Sequence, residues 1–113
     1  MKYNRTEAKT KISNDNTPLG KPIEYIIQSC EEKTKNNNKS IVYTLEQTKN
    51  PTLIYIQSFS TSQLGLGAFF SFADTLGFTN DDLNPNELVG TSLTATSYED
   101  KEEYIKLTNF KQI

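Results

Sequence analysis

Four lysines, Lys33, Lys35, Lys39 and Lys49, interleaved with Tyr43 and Tyr55, are the residues of this 113-residue sequence best suited to act on a ligand. Lysines neutralise phosphates, and a tyrosine ring offers a nucleobase a face to stack on, worth ~1–3 kcal/mol per base. The other chemical groups are weaker candidates. Asp81-Asp82 and Glu99-Asp100 with Glu102-Glu103 offer carboxylates to a divalent cation, but acidic turns are ordinarily just solvated. Gly65-Leu66-Gly67 lacks the lysine of a phosphate loop and opens no βαβ unit, so close backbone packing explains it better. The sequence has no histidine and one cysteine, Cys30, which removes the commonest general base, a zinc site and an activated thiol together. No catalytic residue, metal ligand or cofactor is expected, and the reading is a non-enzymatic binding protein.

These residues need elements to hold them. Ser60 to Phe78 is where apolar residues recur at helical spacing, with Leu64, Ala68, Phe72 and Leu76 in one row and Phe69 and Ala73 beside it. Ser60 and Gln63 have the form of a capping box, and Gly77 supplies a left-handed stop. The surrounding sequence reads as strand. Residues 22–32 alternate loosely, and the polar, cationic run from Lys33 to Lys39 makes a hairpin loop into a second strand over residues 40–47. Lys49-Asn50-Pro51 turns the chain into a third strand over residues 52–59, with Ile54 and Ile56 expected inside and Tyr55 outside. Tyr43, flanked by Ile41 and Leu45, is the second candidate for an outward ring. Asn84-Pro85-Asn86-Glu87 has the cap, proline and glutamate of a single helical turn. Residues 91–98 and 102–110 then form a closing hairpin.

Five short strands with a helix between the third and fourth is the order of a mainly β, five-stranded OB-fold barrel, whose helix plugs its open end. A flat α+β sheet has the same element order and is the alternative. The chain is long enough for one core. The division expected is a flexible arm over residues 1–20, carrying Lys2, Arg5, Lys9 and Lys11, and the barrel domain over residues 21–113. The start has no apolar run for a signal peptide, and no stretch approaches the ~20 apolar residues of a membrane span, so a cytoplasmic protein without membrane contact is expected.

The runs FFSFADTLGF, NPNELVG and YIKLTNF, with Phe72, Leu76-Gly77 and Glu87-Leu88-Val89-Gly90 within or beside them, give the chain a resemblance over residues 20–110. It is similar to small proteins of phage and mobile-element replication modules, a group that includes OB-fold single-stranded-DNA-binding proteins, some of them beside a polymerase, primase or helicase. The resemblance implies a DNA-replication accessory protein that binds single-stranded DNA and assists a polymerase or primase. On such a fold the strands two and three carry the ligand, which assigns Tyr55, Tyr43, Lys33, Lys35, Lys39 and Lys49 to nucleic-acid binding.

Charge distribution supports a rival. Net charge is −2, and residues 50–113 hold three basic against eight acidic side chains, while residues 1–49 hold nine against six. An acidic loop over residues 99–103 would repel a passing strand of DNA. In the rival reading the domain docks on a replication polymerase, primase or helicase with little DNA affinity of its own. Phe70, on the helix face away from the main apolar row, is then the expected partner contact. An interaction or inhibitor protein on the same barrel is the third reading.

Overall fold

The computed structural model describes residues 2–8, 19–99 and 105–113. Strand β1 (Tyr3–Asn4) opens the chain and a 3-10 turn (Arg5–Glu7) follows it. Then come β2 (Leu19–Lys35), β3 (Asn38–Gln47), β4 (Ile54–Ser60), helix α1 (Gln63–Thr75), β5 (Asp82–Leu83), a 3-10 turn (Pro85–Leu88), β6 (Ser92–Glu99) and β7 (Ile105–Gln112).

β2, β3, β4, β6 and β7 build one antiparallel sheet in the order β4-β3-β2-β6-β7. Its centre is β2, whose 17 residues serve both halves. The N-terminal part pairs with β6 from Leu19 to Ile26, and the C-terminal part pairs with β3 from Tyr25 to Lys35. Register shifts between Leu19 and Ile23 and between Ile27 and Ser29 bend it on the way. A strand shared in this manner, and twisted, brings the sheet round on itself. The edge strands β4 and β7 approach one another, but no ladder joins them among the described residues. Among the described residues the fold is thus mainly β, with one α-helix and a five-stranded sheet.

The turns follow their chemistry. Asn36 and Asn37 take positive φ (51° and 64°) between β2 and β3, the conformation a two-residue hairpin requires. Asn84 and Glu87 complete the capping box around Pro85. Gly77 at φ 90° ends α1 in a Schellman arrangement, with Phe78 N–H donating to Ala73 O and Gly77 N–H to Asp74 O. The N-terminal cap falls two residues later than the sequence suggests: Ser62 Oγ accepts from Gly65 N–H, and Ser60 is the last residue of β4. Gly65 itself is required there, since a Cβ would run into the Ser60 backbone.

The helix lies against the concave side of the sheet through Leu66, Phe69, Phe70, Ala73 and Leu76, with Phe72 on the flank toward β7. Phe72 and Leu76 of the expected row are buried, as are Phe69 and Ala73 beside it, whereas Leu64 at its head is 57% exposed and Phe70 widens the buried face beyond it. Phe69 and Phe72 meet Phe59 and Tyr43 in an aromatic cluster with ring centroids 5.2–6.5 Å apart. Tyr43 is completely buried, which corrects its expected place on the outer face. Its neighbours Ile41 and Leu45 share its side of β3, and its hydroxyl donates to Pro85 O at 2.7 Å, tying β3 to the turn after the helix.

Tyr43→Phe should therefore strand a buried carbonyl and cost about 1–2 kcal/mol, read as a shift in urea midpoint. Burial, with Cys30 next to it, pushes the Tyr43 phenol well above its ordinary value; burial also raises Tyr25 and, together with the Glu32 hydrogen bond, Tyr3. The unfolded tyrosines ionise near pH 10 and the folded ones do not, so the unfolded state holds fewer protons there. Stability is full below pH ~10 and falls above it, and the Tyr43→Phe protein should lose stability less steeply over that alkaline limb.

Residues 2–8, read from sequence as part of a loose arm, are docked. Tyr3–Asn4 pairs antiparallel with Asp82–Leu83, and Tyr3 OH donates to Glu32 at 2.8 Å. Arg5 N–H donates to Asp81 O, and its guanidinium lies at the C-terminal end of α1. Lys9 and Lys11 lie outside the described residues. No helix among the described residues is long and apolar enough to cross a membrane.

Candidate functional site

The outer face of β2, β3 and β4 is the surface on which the sequence places a ligand. Strand phase decides what it presents. Phe59, at the end of β4, belongs to the aromatic cluster under the helix, and alternation from it sends Gln57 and Tyr55 to the same inner side. Ile54, Ile56, Ser58 and Ser60 consequently point outward, all exposed, with Ile54 at 52% and Ile56 at 62%. This reverses the expectation that put the isoleucines inside and Tyr55 outside. Tyr55 is half-buried, its ring edge-on to Tyr25 at 5.6 Å. Phe59 sets the phase because a large ring at the helix contact gains more from burial than either isoleucine.

Beside these residues, β3 contributes Ser40, Val42, Thr44 and Glu46, paired in register with Ser60, Ser58, Ile56 and Ile54. The face is therefore aliphatic at one end and hydroxyl-rich at the other. No aromatic side chain among the described residues is exposed, so none stands on it as a stacking platform.

The lysines divide. Lys33, Lys35 and Lys39 surround the β2–β3 hairpin and are exposed. Glu31 lies 3.9 Å from Lys33 and Glu32 lies 3.8 Å from Lys39, exposed pairs of the kind worth ~0–1 kcal/mol, which nonetheless leave little net positive charge locally. Lys49 follows the far end of β3, roughly 30 Å away at ~3.3 Å per residue, and does not join them.

Phe70, the expected partner contact, is only 4% exposed. Its ring packs against Phe69 at 5.1 Å, and the Arg5 guanidinium covers it 4.7 Å from the centroid. Asp82 accepts from Asn4, and no group of three or more candidate ligands gathers among the described residues. The acidic residues 100–104 lie outside the described residues. Cys30 is half-buried beside Tyr43, and burial raises its thiol above the ordinary value, away from the reactive thiolate.

Compared with protein-family models, curated proteins and solved structures, the chain matches none of them. The face must be interpreted from its own chemistry. Sequence reasoning missed the exposed pair Ile54 and Ile56, and the available signal was the odd-numbered row Tyr55, Gln57, Phe59 leading straight into the helix. It also gave Arg5 no structural role, for which the sequence offers no local sign.

Proposed function

We propose that this chain is a non-enzymatic accessory protein on an OB-type barrel and that it acts through protein contact. A first sheet strand that pairs with the second by one end and the fourth by the other, with a helix between the third and fourth, suits such a barrel. The observation that carries the choice of ligand is the composition of the outer face. Ile54 and Ile56 are exposed there and, among the described residues, no ring is, which suits the apolar centre of a protein interface better than a track of nucleobases. Its assignment to a replication module, beside a polymerase, primase or helicase, rests on the resemblance of the FFSFADTLGF, NPNELVG and YIKLTNF runs.

Single-stranded DNA is the second reading, favoured by the exposed hairpin lysines beside the hydroxyls of Ser40, Ser58 and Ser60. A fluorescence-anisotropy titration of labelled oligothymidylate at low and moderate salt ranks the two. Weak binding that disappears at moderate salt is expected, because two of the three hairpin lysines face glutamates. Lys33→Glu, Lys35→Glu and Lys39→Glu together should abolish that residue of affinity, and Tyr55→Ala should leave it unchanged. Tight binding that persists with salt and weakens in Tyr55→Ala would put DNA first.

A further inference from the structure

The two edges of the sheet are unlike. β7 carries Lys106 and Lys111, and Asn109 at φ 53° interrupts its extended backbone. Charges and irregularities of this kind keep an edge from pairing with another chain. β4 has none of them: Ile54–Ser60 reads IYIQSFS, without a charge, a proline or a positive φ.

The hydrogen-bond phase of β4 follows from the two bonds that bracket its ladder with β3. Gln47 N–H donates to Leu53 O at 3.0 Å and Thr61 N–H donates to Lys39 O at 3.1 Å. In an antiparallel ladder the bonded pairs alternate, so odd-numbered residues of β4 direct their backbone groups at β3. Even-numbered residues direct theirs away from it, and these include Ile54 and Ile56, whose side chains are also exposed. The C-terminal half of β4 is screened, since Phe59 shares an apolar cleft with Phe72, Thr108 and Phe110 where β7 comes near. Among the described residues, Leu53 to Gln57 is the part left open.

We propose that the partner of this edge is a second copy of the chain, paired β4 to β4 about a two-fold axis at Tyr55. This rests on the protein-contact reading above and names its partner. About that axis Ile54 lies opposite the partner's Ile56, and Ile56 opposite the partner's Ile54. Both residues aim N–H and C=O outward, so each of these is a bonded pair, and the side chains join into one aliphatic strip across both copies. Tyr55 faces its own counterpart at the closer, non-bonded position. The hydrogen-bond phase and the apolar pairing are thus satisfied by one and the same register. An uncharged strand meets no like-charge repulsion in its own image. The open stretch is shorter than the ~800 Å² per partner of a standard interface would need, so the dimer is weak and depends on concentration.

Sedimentation velocity from about 1 µM to about 1 mM spans the affinities such an interface gives, and a shift from monomer toward dimer is expected across it. Ile54→Lys with Ile56→Lys should weaken self-association at least about ten-fold, because like charges then stand opposite each other. Ile56→Pro removes an edge donor while sparing every bond to β3, and should also weaken it. Leu64→Lys, an exposed leucine on the helix, should leave it unchanged. Circular dichroism of each variant separates lost pairing from lost folding. A wild-type monomer at every concentration, or a dimer indifferent to both β4 variants, overturns the proposal. Tight oligothymidylate binding by the same samples would instead overturn the protein-contact reading.

Discussion

Phe69→Ala is expected to lower the unfolding free energy by about 3–5 kcal/mol, the range for removing a buried phenylalanine without refilling its space. Phe69 is completely buried and its ring meets four others, those of Tyr3, Tyr43, Phe59 and Phe70. These come from β1, β3, β4 and the helix itself, so the cavity opens where four elements meet and none can close it alone. A domain of this size has only about 5–15 kcal/mol of stability to lose. The fall should appear as a large drop in urea midpoint with an unchanged slope, followed by circular dichroism. Leu64→Ala is the comparison. Leu64 belongs to the helical row that the sequence alone would bury, yet it is mostly exposed, and its truncation should stay within about 0.5 kcal/mol of wild type. Equal losses in the two variants would mean that the helix is turned toward the sheet by its Leu64 face, and the arrangement described above would be wrong.

Helical spacing places Phe72, Leu76, Phe69 and Ala73 inside as the structure has them, and misses at Leu64, which is exposed, and at Phe70, which is buried. Alternation and helical spacing identify elements well: the five sheet strands, the helix, its glycine stop and the capped turn at Asn84 all fall within a few residues of where the sequence places them. What they leave open is phase, because a period says which residues share a face and not which face looks inward. On β4 the choice between Ile54 with Ile56 and Tyr55 with Phe59 turns on what waits on each side, and although the helix that decides it follows within three residues, the side of the strand it folds back onto is not written in the strand's own alternation. Tyr43 was more legible, since Ile41 and Leu45 on its own face already argued for burial. The same limit governs the candidate site. The lysines of the β2–β3 hairpin can be placed from the turn alone, and Glu31 is beside Lys33 by its two-residue spacing on β2, whereas Glu32 comes into range of Lys39 only through strand pairing. For α1, periodicity allowed one broad face, and the missing information was a second cover supplied by residues nearly 70 positions earlier.

That cover makes the other large prediction: Arg5→Ala should destabilise the fold by about 2–3 kcal/mol, more than an exposed ion pair would account for. The guanidinium donates to both oxygens of Asp74, with Nη1 3.0 Å from Oδ2, and also to Phe78 O at 3.1 Å and Asn80 O at 2.9 Å. Phe78 and Asn80 follow the helix end, where carbonyls lack intrahelical partners and the helix dipole is negative, and Asp74 adds a further negative charge. One cation answers all of these, and its flat face covers Phe70 as well. Truncation therefore leaves several acceptors and an aromatic ring uncovered together, while the backbone bond from Arg5 N–H to Asp81 O is still available to the alanine variant. Arg5→Lys should recover only part of the loss, because an ammonium cannot bridge a carboxylate in two places and cover a ring at once. Urea unfolding of both variants, with hydrogen exchange at the Leu83 amide, tests the chain of cause. A loss confined to about 0.5 kcal/mol with the Leu83 amide still protected would reduce Arg5 to an ordinary surface charge, whereas a lysine variant midway between wild type and alanine would identify the docked N-terminal segment as the second half of the helix's binding surface.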